Sequence, residues 1–140
     1  MPIAYTFDAA QRLLNAVATG RIIPAEVADY FANLRAEPWF PVPSLTDVRE
    51  ASQNVSGDEV REIAKLFRQF GATLQAAPIA VLVSSDLAYG LVRMIGLLLD
   101  DVAIVHPFRD TEGAMTWLSP HLSSTSHEAQ IVQIVDTHRI

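Results

Sequence analysis

Asp47 and Arg49 stand two residues apart in the run SLTDVRE. Ser84, Ser85, Asp86, Tyr89 and Arg93 follow in SSDLAYGLVRM. These residue types recognise charge. Alternate residues of a strand face the same side, so Asp47 and Arg49 can pair or can share a ligand. Open α/β sheets bind ligands outside the carboxyl ends of their strands, and the Asp47–Arg49 pair is expected there. Ser84 and Ser85 fall at an expected strand-to-helix turn, where free backbone N–H groups can hold an anion. Tyr89 and Arg93 are one helical turn apart on a common face. Arg93 interrupts an otherwise apolar helix and must be paired or reach the surface. Its expected partners are a carboxylate ligand, another chain, Asp47 or Asp110. The plainer readings are an ion pair that ties down a proline-rich loop for Asp47 and Arg49, and helix capping for the two serines.

None of this completes a catalytic site. The chain lacks a phosphate loop of G-x-x-x-x-G-K-S/T form and a dinucleotide loop of G-x-G-x-x-G form. It also lacks the G-x-S-x-G elbow of hydrolases. Asp47 or His106 as a base would have no nucleophile beside it. His106, His121, His127 and His138 show no ligand spacing, so no metal and no cofactor are expected. There is no cysteine, which excludes disulfides and thiolate chemistry and suits a cytoplasmic protein. The lone lysine, Lys65, sits mid-helix, where a solvated lysine is the expected state.

Charge and length narrow the class further. The net charge is −6, and the ten basic residues are scattered, which argues against nucleic acid. A chain of 140 residues fits one domain that buries its own core. Mean hydropathy is high, at +0.22. Even so, no apolar run approaches the ~20 residues that span a bilayer, and the N-terminus does not read as a signal peptide. The longest apolar stretch, LVRMIGLLL, is expected to be a buried helix.

NVSGDEV, residues 54–60, raises a separate question. Ser56 and Glu59 have capping-box spacing, and Asp58 and Glu59 complement the positive end of a helix. The same carboxylates would repel a phosphate placed on Ser56. The plain cap is the preferred reading, with a phosphosite at Ser56 as the alternative.

Elements must position these residues. IAYTFDAAQRLLNAVATGRI reads as two strands of an antiparallel hairpin, broken at Asp8-Ala9-Ala10-Gln11, with Thr19-Gly20 ending the second. Pro24 opens a helix with Val27, Tyr30, Phe31 and Leu34 on its apolar face. Pro38, Pro41 and Pro43 then rule out a helix, and Trp39 and Phe40 between them form a lid, make a dimer contact or fold back onto the core. SLTDVRE is a strand ending near Asp47, and EASQN a polar loop. A helix from Ser56 towards Gln75 carries Val60, Ile63, Phe67, Phe70 and Leu74 inward and weakens at Gly71. PIAVLVSS and DVAIVHPF read as strands buried on both faces. Between them Asp86 to Leu99 is a helix with Leu87, Leu91, Met94, Ile95 and Leu98 inward. A last short helix is capped by Asp110. Alternating strands and helices give an α/β fold, a single mixed sheet with a parallel centre and helices packed on it. Residues 119–140 form a C-terminal extension, a linker plus a short helix or strand.

Three segments suggest a family. LTDVRE, SSDLAYGLVRM and HPFRDTEGAMTWL resemble the Leu-x-Asp-x-Arg strand end, the Tyr-Gly-x-x-Arg-Met helix start and the Phe-Arg-Asp-x-x-x-Ala-x-x-Trp-Leu ending of small bacterial SpoIIAA-like proteins, a branch of the STAS fold. The resemblance covers roughly residues 3–118. It implies a SpoIIAA/STAS-like domain and, from the STAS relatives, a non-enzymatic regulatory or interaction module. In phosphorylatable STAS antagonists the Ser-Gly pair that opens the equivalent helix is preceded by Asp-Ser. Ser56 and Gly57 match the pair, while Asn54 and Val55 depart from the rest. The expected partners are a second copy in a homodimer, a regulatory protein, or a small apolar or anionic ligand. Nucleic acid and membrane insertion are not expected. For an apolar acid, Arg49 or Arg93 would hold the head group.

Overall fold

The computed structural model describes residues 3–52 and 56–123. Strands β1 (Ile3–Asp8) and β2 (Leu13–Gly20) form the expected antiparallel hairpin. Helix α1 (Pro24–Ala36) starts with Pro24 in its first turn and buries Val27, Tyr30, Phe31 and Leu34. Strand β3 (Ser44–Ala51) follows the proline-rich connection. Helix α2 (Gly57–Gln69) stops before Gly71, and a short helix α3 (Gly71–Leu74) resumes after Phe70. Then come β4 (Pro78–Leu82), α4 (Asp86–Leu98), β5 (Ile104–Phe108) and α5 (Thr111–Leu118), with a 3-10 turn at Ser119–His121.

The sheet runs β1-β2-β3-β4-β5, antiparallel at the first pair and parallel from β2 onward. This order never reverses. Right-handed crossovers that step always in one direction place every crossover helix on the same face. The cores agree. Leu14, Ala16 and Ala18 of β2 pack with Val27, Phe31 and Leu34 of α1 and Phe70 and Leu74 beyond α2. Leu13, Ala80 and Leu82 point the other way, onto Ala114 and Leu118 of α5. One face of the sheet therefore carries α1 to α4, and the other carries α5.

Three expectations change. The third strand runs four residues past Asp47, so Glu50 and Ala51 belong to the sheet rather than to a loop. Its ladder to β4 nevertheless ends at Asp47, opposite Leu82. Past that point β3 continues beside β2 alone, where the register slips between Val17 and Thr19 and β3 takes an extra residue, a β-bulge. Second, β5 is not buried on both faces. It is the sheet's edge strand, with Ile104 and His106 exposed. Pro107 fits that place, because a proline has no N–H for a further ladder.

The third change concerns α4. Leu87, Met94 and Leu98 were expected to face inward, but they are 58%, 42% and 53% exposed, and Leu91 is half-buried. The helix turns its smaller residues to the sheet. Val92 and Ile95 point at the sheet, and a side chain added at Gly96 would lie 2.4 Å from the Val105 carbonyl oxygen. Only a glycine permits that approach. The stretch LVRMIGLLL is thus a surface helix. No helix among the described residues is long and apolar enough to cross a membrane.

Candidate functional site

Between the sheet and the layer of α1 to α4 lies a cavity of ≈ 170 Å³. Its origin is a mismatch of side-chain sizes. Alternation along the strands sends Thr46, Val48, Ile79, Val81 and Val105 towards the helices. These are short side chains, and they do not reach the helices opposite. The far wall is Tyr30 and Phe31 of α1, Ile63 and Phe67 of α2, and Val92 and Ile95 of α4. Phe40, from the proline-rich connection, closes one side.

Three hydroxyls interrupt this apolar lining, those of Ser44, Thr46 and Tyr30. Tyr30 shares a hydrogen bond with the Thr46 side chain, and burial pushes its phenol above the usual tyrosine range. At neutral pH it is a neutral group able to donate or accept. The lining offers no charge.

Trp39 folds back. It stacks on Phe7 of β1 with ring centroids 4.3 Å apart and planes 4° from parallel, and it meets Tyr5 edge-on. Among the three readings of the proline-rich segment, this is the fold-back onto the core. The Phe40–Pro41 peptide bond is cis.

The polar candidates gather elsewhere. Asp47 and Arg49 form a bidentate pair, with Arg49 Nε and Nη2 donating to the two carboxylate oxygens at 3.0 and 2.8 Å. The Arg49 backbone N–H donates to the same carboxylate at 3.0 Å. These bonds hold the Asp47 carboxyl below the usual aspartate range, the Arg49 side chain contributing most. Ser84 Oγ lies 3.4 Å from the Arg49 carbonyl. Asp47, Arg49 and Ser84 therefore come together at the carboxyl end of the β3–β4 ladder. Ser85 is the N-cap of α4, its hydroxyl accepting from Ala88 N at 3.1 Å. Tyr89 lies under the Arg109 guanidinium, 4.8 Å from ring centroid to the cation, and Arg109 pairs with Asp86 at 2.7 Å.

Arg93 stands apart. It is exposed and has no partner among the described residues. Asp47 is taken by Arg49, and the Asp110 side chain accepts from Gly113 N at the start of α5. The expectation that Arg49 or Arg93 holds the head group of a cavity ligand fails on geometry. Thr46 and Val48 face the cavity, so Asp47 and Arg49 between and beyond them face the other side of the sheet. Arg93 is on the outer side of α4.

Ser56 has the capping box in full. Its hydroxyl accepts from Glu59 N at 3.1 Å, and Glu59 Oε1 accepts from Ser56 N at 3.1 Å. Arg21 adds an ion pair to Glu59 at 2.9 Å. Asn54 and Val55 lie outside the described residues, as do the final residues 124–140 with His127, His138 and the Thr125–Glu128 spacing. Lys65 is exposed beside Glu62, 3.5 Å away. His106 packs against Phe108 and Trp117 with ring centroids 4.9 and 5.7 Å away. Among the described residues no group of three His, Asp or Glu is placed to hold a metal ion.

The residues that sequence reasoning missed are Tyr30, Thr46 and Ser44. Tyr30 was assigned to the core of α1 on periodicity, and its hydroxyl was the available signal, since a buried tyrosine usually finds a polar partner.

With this geometry established, the chain can be compared with known proteins. An uncharacterised protein from Shewanella loihica PV-4, of the DUF3478 family and with a SpoIIAA-like fold, superposes with a TM-score of 0.59. The match covers 83% of this chain and 93% of that one, at 18% sequence identity. This chain has the SpoIIAA-like α/β fold. No protein-family model matches the sequence, and no curated protein sequence does.

Proposed function

We propose that this chain is a STAS-like binding module that holds a small apolar molecule between its sheet and its helix layer. The cavity carries this reading. A void of ≈ 170 Å³ is larger than the ~150 Å³ apolar cavity known to bind benzene in an engineered core. Its lining suits a short acyl chain or an aromatic ring. Tyr30, Thr46 and Ser44 supply neutral hydrogen-bonding groups, so a carbonyl, a hydroxyl or a protonated acid fits better than a bare carboxylate, whose charge would be buried unpaired. Native mass spectrometry of freshly purified protein tests the reading. A retained adduct, released on unfolding, supports it. An unliganded chain that also ignores the neutral probe octan-1-ol contradicts it.

A second reading, a non-catalytic regulatory module working through protein contacts, is favoured by a different observation, the exposed apolar face of α4. The cysteine-free composition supports a cytoplasmic setting for either reading.

A further inference from the structure

We infer that the outer face of α4 is the interface of a homodimer, in which α4 packs antiparallel against α4 of a second copy. Leu87, Leu91, Met94 and Leu98 follow one another at steps of four, three and four residues, the spacing of a coiled-coil seam. Among the described residues Leu87, Met94 and Leu98 of this seam stay exposed, Leu91 is half-buried, and Arg68 of α2 reaches only the Leu98 carbonyl at its end. Leu97, beside it, is 69% exposed, the most exposed large apolar side chain among the described residues.

Gly90 is the second observation. Glycine is unfavourable in an exposed helix interior relative to alanine. The glycine at position 96 is required by the backbone of β5. At Gly90 an added side chain would meet nothing within 4 Å, so nothing among the described residues requires a glycine there. Gly90 and Leu97 are seven residues apart, at the same position of successive heptads and on the same flank of the seam. Antiparallel pairing sets Leu91 against the second copy's Met94 and Leu87 against its Leu98. It then brings Leu97 of each copy over Gly90 of the other. The most prominent knob meets the one position without a side chain, twice, by symmetry.

The size and charge of the patch agree. The exposed fractions of Leu87, Met94, Leu97 and Leu98 leave an apolar surface on the order of 400 Å², within the ~300–600 Å² of the largest patch on a typical monomer. Two such patches, with Leu91 and the rim, reach the roughly 1,000 Å² that a specific interface needs. The seam residues themselves are apolar; Arg93, the Asp86–Arg109 pair and the Arg68–Asp101 pair at the Leu98 end form a charged rim that pairing would leave at the edge.

Light scattering after size exclusion tests the inference, at micromolar and at near-millimolar concentration. The native chain is expected at twice its 15.4 kDa mass, and Leu97→Glu at the single mass with an unchanged circular dichroism spectrum. Because the chain has no cysteine, orientation is read directly by oxidation. The double variant Gly90→Cys with Leu97→Cys should cross-link between copies, and Leu97→Cys alone should not. A monomeric native chain would overturn the inference, and so would a Leu97→Glu dimer or efficient cross-linking by Leu97→Cys alone. A monomer that sediments with phosphatidylglycerol vesicles would give the face to lipid instead. Binding of octan-1-ol is scored separately, so loss of the dimer and loss of the cavity ligand are distinguishable.

Discussion

Glu59 holds the start of α2 by three contacts at once. It accepts from Ser56 N, donates its own backbone N–H to the Ser56 hydroxyl and pairs with Arg21. A cap of this kind accounts for Ser56 and Glu59, and the helix dipole for Asp58, without a regulatory role. Ser56→Ala is expected to lower stability by about 1 kcal/mol in urea unfolding. The carboxylates also set the response to acid. The Ser56 backbone N–H, with smaller help from Arg21, holds Glu59 below its usual range, and Arg49 does the same for Asp47. A carboxyl group whose folded pKa is depressed stabilises the fold above its unfolded value, about 3.9 for Asp, and that contribution is lost as pH falls through the folded value. Asp47→Asn should therefore melt below the native chain at pH 7. The gap between them should close as the pH is taken from about 5 towards 2, by thermal unfolding at each pH.

At the scale of elements, α4 shows how local pattern and tertiary placement part company. Gly96 lets the helix axis approach β5. Gly96→Ala forces the added carbon against the Val105 carbonyl, and the displacement should cost about 1–3 kcal/mol in chemical denaturation. An ordinary helix position would instead gain roughly 1 kcal/mol from the same change. The existence of α4 and its limits were legible from its capping serine and its apolar run. Its inward face was not, because both faces are apolar. Periodicity marked the larger leucines, whereas the sheet takes Val92, Ile95 and the glycine. The placement of β5 was legible after all. Pro107 within the run is an edge-strand signal, and the continuous apolar pattern overrode it. The hairpin, the apolar face of α1 and the capping box at Ser56 could be read from sequence, since each rests on contacts within a short stretch.

The cavity belongs to the whole molecule. It is a difference in volume between the sheet and the helix layer, and no single segment carries its signature. A space of ≈ 170 Å³ gives up packing contacts that a close-packed core would make. On the binding reading a ligand regains these contacts, a trade of stability for function. Filling it should reverse the trade. Val81 lines the cavity from the centre of the sheet, and Val81→Phe is expected to raise the melting temperature of the ligand-free chain while closing the site. The most direct measurement is a calorimetric titration of the native chain and of Val81→Phe with octan-1-ol and with benzene. The binding reading predicts saturable one-to-one uptake of at least one probe by the native chain and none by Val81→Phe. Absence of uptake by the native chain, or equal uptake by both proteins, would contradict it.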